Sequence, residues 1–487
     1  MSLIDVSKLT FAYDGSYDDI FTDVSFQIDT DWKLGFCGRN GRGKTTFLKL
    51  LMGKYEYAGA ICASVAFDYF PLEVADPHEN TIGVLDRIAP DAELWKKQKE
   101  LSKLAVGEDA LHRAFSTLSS GERTKVLLAG LFLRENNFLL IDEPTNHLDM
   151  AGRQTVARYL QGKSGFILVS HDRNFLDECV DHVLSINKAK IEITRGNFSA
   201  WAEQKMRQDA FELAQNRKLE GEIGRLRKAA TQKAGWAVEA EKKKWEGGDR
   251  GFMGRKAAKI MKRSKIIEKR MDKSIGEKSK LLKNIESAQR LELKPQAFHA
   301  KRLLALNDVA LRYGDREILR GFNLTLDAGE RVALRGGNGS GKSSVIKLIC
   351  EGSSPHAGSV SLGGQLVVSY VPQDASSLSG TLTDYAAQWK IDRTIFFAML
   401  NKLDFSRAQF DKDMSDYSAG QKKKALIARS LCERAHVYVW DEPLNYIDVL
   451  SRMQIEELLL ECDATMLFVE HDKAFCDKVA TRIVELE

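Results

Sequence analysis

The residues best suited to chemistry occur in two matching sets. The stretches GFCGRNGRGKTT at 35–46 and ALRGGNGSGKSS at 333–344 both fit G-x-x-x-x-G-K-[ST], a loop whose backbone N–H groups cradle phosphates while its lysine reaches the outer ones. Gly38, Asn40, Gly41, Gly43, Lys44, Thr45 and Thr46 are the nucleotide-binding candidates of the first set, and Gly336, Asn338, Gly339, Gly341, Lys342, Ser343 and Ser344 those of the second. The hydroxyls of Thr45 and Ser343 can ligand magnesium. Downstream, NNFLLIDEP and AHVYVWDEP end apolar runs in acid pairs. There Asp142 and Asp441 can hold the magnesium, and Glu143 and Glu442 can orient or deprotonate an attacking water. FILVSHD and MLFVEHD then deliver His171 and His471 toward the terminal phosphate. A lone Asp-Glu is more often a turn and a lone histidine more often structural; the order of the motifs carries the weight here.

Lys44 and Lys342 are 298 residues apart, Glu143 and Glu442 299, His171 and His471 300. One internal duplication explains all three offsets. Each copy opens with alternating segments, SLIDVSKLTFAY then FTDVSFQI, and LALNDVALRY then GFNLTLDA, which predict strands of an edge sheet. An apolar strand then enters each glycine-rich loop, and FLKLLM or VIKLIC follows as a helix with a buried face.

At 487 residues the chain exceeds a single core and, with 44 % hydrophobic residues, can bury several. It shows no run of 18 apolar residues and no basic-then-apolar N-terminus, so neither a membrane span nor a signal peptide is expected and the cytoplasm is the expected location. The seven cysteines are odd in number and scattered without metal-ligand spacing, which predicts buried thiols.

Between Pro144 and Pro295 there is no proline, and the composition changes over 199–300. Trp201, Met206, Phe211, Ala214, Leu219, Ile223 and Leu226 recur at steps of three to five, and Ile260, Ile267, Met271, Ile275, Leu282 and Ile285 return at steps of three, four and seven, predicting two long helices with apolar seams. Glycines at 247, 248, 251 and 254 place the turn, with the tip near 235–256. Residues 201–290 hold 25 Lys plus Arg against 13 Asp plus Glu, a net +12 in a chain of +4. A solvated helix face is the ordinary explanation of such a charge run. Its concentration on an extended hairpin with apolar residues at the tip points to a polyanion instead. Lys243, Trp245, Phe252, Met253, Arg255, Lys256, Lys262, Arg263 and Lys265 are the candidate contacts.

LSSGE at 118–122 and YSAGQ at 417–421 each place a glycine 21 residues before the strand aspartate, Gly121 to Asp142 and Gly420 to Asp441. These resemble ABC signature motifs. The resemblance implies an α/β fold of two tandem ABC-type P-loop ATPase domains, 1–198 and 301–487, joined by a long antiparallel α-helical hairpin at 199–300. It also implies ATP and Mg2+ as cofactors and two composite sites, each closed in trans. The first would add Ser418 and Gly420 to Lys44, Asp142, Glu143 and His171, and the second Ser119 and Gly121 to Lys342, Asp441, Glu442 and His471. Tyr13 and Tyr313 match the family's adenine-stacking aromatic, and Gln373 in YVPQD its magnesium and water-sensing glutamine. The equivalent YFPLE has Leu72, which offers no hydrogen bond, unless Glu73 or a nearby group substitutes. The two sites are therefore expected to hydrolyse at different rates. Glu122 and Tyr417 depart from the usual glutamine and leucine of the signature.

Two ABC domains around a charged helical hairpin resemble the ABC-F ATPases, and FAYD, DWKLGFCGRNGRGKTT and GFMGRKAAKIMKRSK look like the Lsa-type antibiotic-resistance branch. That resemblance implies a monomer with intramolecular domain pairing. The expected partner is the bacterial 70S ribosome, with the hairpin expected to reach 23S rRNA and the peptidyl-site tRNA and to displace lincosamides, streptogramin A compounds and pleuromutilins. A housekeeping translation factor of the same family, gating elongation or relieving stalled ribosomes, shares every ATPase residue. A transporter subunit would lack the hairpin's purpose, and the hairpin is short for a chromosomal coiled coil.

Overall fold

The computed structural model describes residues 2–13, 19–146, 148–187, 190–242, 269, 293, 295–313, 316–337, 339–352, 356–405 and 407–486. Lys243, Trp245, Phe252, Met253, Arg255, Lys256, Lys262, Arg263, Lys265 and Asn338 lie outside them, as do the returning helix of the insert and the side chain of Tyr313. The chain divides into two compact units, Met1–Trp201 with Ala288–Glu487, and Ala202–Ser287.

In the first unit each copy builds two sheets. Strands Leu3–Phe11, Phe21–Asp29 and Ala58–Cys62 form one antiparallel sheet, and Arg302–Tyr313, Arg316–Asp327 and His356–Leu362 its counterpart. The alternating pattern serves these strands because one face packs inward, through Ile4, Val6 and Leu9 in the first copy and Leu304, Leu306 and Val309 in the second.

The other two sheets are mostly parallel. In the first copy the order is Ala66–Phe70, Asn137–Asp142, Phe166–Val169, Lys33–Cys37, His182–Asn187 and Lys190–Arg195, with only the last strand antiparallel. In the second it is Val368–Val371, Val437–Asp441, Met466–Val469, Arg331–Arg335 and Arg482–Glu485. Covered on both faces, these strands are continuously apolar: Phe166–Val169 and Met466–Val469 are buried throughout. The strands ahead of the phosphate loop, the acid pair and the histidine are adjacent, so their carboxyl ends deliver all three motifs to one edge. The helices after the phosphate loops bury Phe47, Leu48, Leu50 and Leu51, and Val345, Ile346, Leu348 and Ile349, as their sequence pattern expects.

The insert begins with a 45-residue helix, Phe198–Lys242, which runs through Gly235 and into the range expected for the tip. Its apolar positions do not form one buried seam: Trp201 and Ile223 are buried, whereas Met206 and Phe211 are 49 % and 62 % exposed. A five-residue step turns about 140° around a helix of 3.6 residues per turn, so neighbours at that spacing occupy different faces. Leu293 and residues 295–300, which composition assigns to the insert, cluster with the ATPase unit. Leu293 is buried in the second copy's core and Gln296 N–H donates to Ala435 O at 2.8 Å. The cysteines are not uniformly buried either: Cys37, Cys179 and Cys476 are, Cys350, Cys432 and Cys462 are half-buried, and Cys62 is exposed on an edge strand. All are free thiols.

Candidate nucleotide sites

Both phosphate loops are shaped by glycines in the left-handed region, Gly41 and Gly43 at φ 79° and 90°, Gly339 and Gly341 at 84° and 92°. A Cβ on Gly43 would meet Ile20 at 2.5 Å and one on Gly341 would meet Ile318 at 2.8 Å. Glycine there lets consecutive N–H groups converge on an anion at the start of helices Lys44–Leu51 and Lys342–Glu351. Lys44 Nζ donates to Gly38 O at 2.6 Å and Arg39 O at 3.2 Å, Lys342 Nζ to Gly336 O at 2.9 Å and Gly337 O at 2.7 Å. Each ammonium thus lies along its own loop. Tyr13, 41 % exposed, is steadied by Thr46 through a 2.7 Å hydroxyl pair and by edge contacts with Phe11 and Tyr55, so its ring can serve as a stacking platform.

Asp142 Oδ2 accepts from Thr45 Oγ1 at 3.1 Å and from the Tyr69 hydroxyl at 2.9 Å. Tyr69 is a residue the sequence did not single out. Ser343 bonds the Asp441 carboxylate, whose Oδ1 is buried without a donor. Burial raises both aspartate pKa values, a penalty that a bound cation relieves. The two hydroxyl–carboxylate pairs therefore fit magnesium. No group of three or more His, Cys, Asp or Glu side chains able to hold a metal occurs among the described residues, so such an ion would draw its other oxygens from phosphate and water.

Glu143 and Glu442 adopt φ 51° and 46°, a backbone region costly for a glutamate. It is fixed by their N–H groups donating to Val169 O at 2.9 Å and Val469 O at 3.0 Å. His171 Nε2 lies 3.3 Å from Glu143 Oε1, and His471 Nε2 3.2 Å from Glu442 Oε1. Beyond this shared pairing the copies diverge. Glu442 Oε2 accepts from Gln373 Nε2 at 2.9 Å and Asn445 Nδ2 at 2.7 Å. Leu72 replaces the glutamine in copy one, and both Glu143 oxygens are buried with no donor in hydrogen-bonding geometry. Burial, then the adjacent Asp142 charge, pushes the Glu143 carboxyl up to about 8. Burial also works to raise Glu442, but the His471 bond and charge, the Gln373 amide and Lys342 together hold it down at about 2. Burial and the nearby Lys44 keep His171 well below the ordinary histidine range.

The signature serines open helices. Ser119 Oγ accepts from Glu122 N–H at 3.2 Å while the Glu122 carboxylate accepts from Ser119 N–H at 2.8 Å. Ser418 and Gln421 make the same reciprocal cap at 3.3 and 2.9 Å. Glutamate and glutamine are thus equivalent as caps here, and Ser119 N–H lowers the Glu122 pKa. Tyr417 is buried, its hydroxyl donating to Gln409 O at 2.6 Å and its ring against Phe405, which accommodates it in place of leucine.

The signatures meet the opposite copy. Asn40 Nδ2 donates to Tyr446 O at 2.8 Å, and Asp448, ion-paired with Lys424 at 2.9 Å, lies 3.5 Å from Asn40 N. A Cβ on Gly420 would fall 2.6 Å from Tyr446 O and 3.2 Å from Asn40 Nδ2. Gly420→Ala is accordingly expected to separate this contact and weaken ATP binding at the first site by about 10-fold or more, a cost of 1–3 kcal/mol for overpacking; calorimetric titration of ATP checks it. The second site is a cavity of about 530 Å³ whose lining joins Gly341, Lys342, Ser343, Gln373, Glu442 and His471 to Ser120, Asn146, Leu148 and Arg153 of copy one. Ser120, one residue past the expected Ser119, lines it. Arg153 was also missed: it donates to Asp172 at 3.0 Å and to His471 O at 3.3 Å, across the domains. Its equivalent Arg452 bonds Leu444 O at 2.8 Å and Asp472 at 3.4 Å. The repeat spacing pairs these arginines and could have marked them.

Two phosphate loops, two acid pairs and signatures that face the opposite copy define a tandem P-loop ATPase. The sequence pattern of the family described as ABC transporter matches residues 21–146 and 319–445, over half the chain. The chain belongs to that family, as an ABC-F ATP-binding protein, and binds and hydrolyses ATP. It is 29 % identical over 483 residues to the ATP-binding protein Uup of Caulobacter vibrioides, covering 96 % of this chain and 75 % of the relative. It is 26 % identical over 485 residues to the ribosome protection protein VmlR of Bacillus subtilis, covering 97 % and 85 %. It is also 26 % identical over 520 residues to the energy-dependent translational throttle protein EttA of Haemophilus influenzae, covering 96 % and 89 %. Among the described residues no helix is long and apolar enough to cross a membrane.

Proposed function

We propose that the chain is a translation factor of the bacterial ribosome, binding in its ATP-closed form and leaving after hydrolysis, and so gating elongation or relieving stalled ribosomes. The observation that carries this proposal is the helical insert, whose net charge of +12 sits in an otherwise acidic chain and suits an RNA backbone. Lys243, Trp245, Phe252, Met253, Arg255, Lys256, Lys262, Arg263 and Lys265 are its proposed contacts with 23S rRNA or the peptidyl-site tRNA. The similarity to a translational throttle protein supports a role in elongation.

In the ATPase cycle the phosphate loops bind the polyphosphate, and Tyr13 and Tyr313 stack on adenine. Thr45, Asp142, Ser343, Asp441 and Gln373 would hold Mg2+, which would neutralise phosphate charge. Glu442 takes a proton from the attacking water, and His471 positions the glutamate and reaches the terminal phosphate. Ser119 and Gly121, with Ser418 and Gly420, close the sites in trans. The two domains pair within a cytoplasmic monomer.

A second role, displacement of lincosamides, streptogramin A compounds and pleuromutilins, is favoured by the similarity to a ribosome protection protein. Reconstituted bacterial translation separates the two. An ATP-dependent change in dipeptide yield without drug is expected for the elongation role; rescue of synthesis only when drug is present supports protection. No effect in either assay would overturn both.

A further inference from the structure

We infer that Asp404 is a positioning residue for the first nucleotide site, holding the phosphate loop of copy one across the domain interface through Arg39 and Arg42. The two arginines are variable positions of that loop, one on each side of Asn40-Gly41. Their guanidinium groups lie 3.8 and 3.7 Å from the same Asp404 oxygen, with the Arg39 side chain 7 % exposed and that of Asp404 26 %. Asp404 follows helix Arg393–Lys402 of the other copy, so the bridge joins the loop of one domain to the helical layer of its partner.

The duplication shows that the fold does not need this charge. In copy two the loop positions are Gly337 and Ser340, and in copy one the residue matching Asp404 is Ala105. Ala105 and Asp404 both sit in the left-handed region, at φ 53° and 67°, just beyond their helices. Glycine or asparagine would serve that turn as well or better. Three charged residues are thus present together on one half and absent together from the other, as expected if they act as a unit. The same half carries the Asn40 to Tyr446 bond beside the Gly420 approach. An ion pair at an interface chiefly sets how long the contact lasts, so the bridge should slow nucleotide escape from the first site without touching the reacting atoms.

The test uses the full chain and a fluorescent N-methylanthraniloyl ATP, with Lys44→Ala and Lys342→Ala assigning the two dissociation phases. Asp404→Asn keeps a residue tolerant of the left-handed turn and removes only the charge. It is expected to accelerate the first-site phase about 5- to 10-fold and reduce its salt dependence, leaving the second-site phase unchanged. Arg42→Gln should reproduce the effect, and the double variant should be no faster than the stronger single one. An unchanged first-site phase, equal acceleration of both phases, or multiplicative effects in the double variant would overturn the inference. Absence of any nucleotide binding in the unaltered chain would instead strike at the ATP sites themselves.

Discussion

Glu442→Gln is expected to lower steady-state ATP turnover by about 100-fold or more, the usual contribution of a positioned general base, while Glu143→Gln changes it by less than about 2-fold. The difference follows from the neighbours of each carboxylate. Gln373 and Asn445 donate to one Glu442 oxygen, leaving the other to His471, so the group is ionised and aimed. Leu72 cannot supply the corresponding donor, and the Glu143 oxygens are buried without one, which leaves that carboxylate poorly able to hold charge. Phosphate release at saturating ATP measures both variants. Equal losses, with matched nucleotide affinities at the two sites, would contradict the assignment of turnover to the second site.

Arg173→Met is expected to cost about 2–3 kcal/mol of stability, somewhat under the range for breaking a buried ion pair. Arg173 Nη2 lies 2.5 Å from Glu456 Oε2 across the domains, with the side chains 9 % and 5 % exposed. Lys478, 2.8 Å from the other Glu456 oxygen, moderates the loss by remaining paired. In the opposite half the equivalent positions are Lys473 and Ala157, and both line a cavity of about 660 Å³. The ion pair thus fills on one side what stays open on the other. Urea unfolding of the full chain checks the prediction through its first transition, and replacing both partners by leucine should recover most of the loss. A shift below about 0.5 kcal/mol for Arg173→Met, the size of an ordinary surface substitution, would show that the pair does not bind the domains together.

The parts of the site that lie within one copy were legible because the duplication displays each motif twice in fixed order. Lys44 and Lys342, Asp142 and Asp441, and His171 and His471 all follow buried strands whose uninterrupted apolar runs are visible in the sequence. Beyond the signatures, which the family resemblance already placed in trans, contacts between the copies were not legible. Nothing local in RNFLDEC announces that Arg173 pairs with a glutamate 283 positions away, nor in NKLDFS that Asp404 faces a phosphate loop. The left-handed backbone at Glu143 and Glu442 was hidden for another reason: each precedes a proline, which favours extended conformations, and only the surrounding hydrogen bonds impose the exception. Leu72 marks a position where the copies differ, but the donor missing at Glu143 and the Tyr69 hydroxyl on Asp142 became visible only with the sheets assembled. In the insert, apolar spacing of three to five correctly indicated a long helix yet overstated its seam, because a step of five changes face.

The central claim, that ATP-driven pairing of the two domains prepares the chain for the ribosome, is tested most directly with the Glu143→Gln/Glu442→Gln double variant. Sedimented with purified bacterial ribosomes, it should pellet in ATP and remain in the supernatant in ADP, with binding that weakens as salt rises. A folded double variant that binds ATP yet stays in the supernatant at low salt would contradict the claim and leave the charge of the insert to another polyanion.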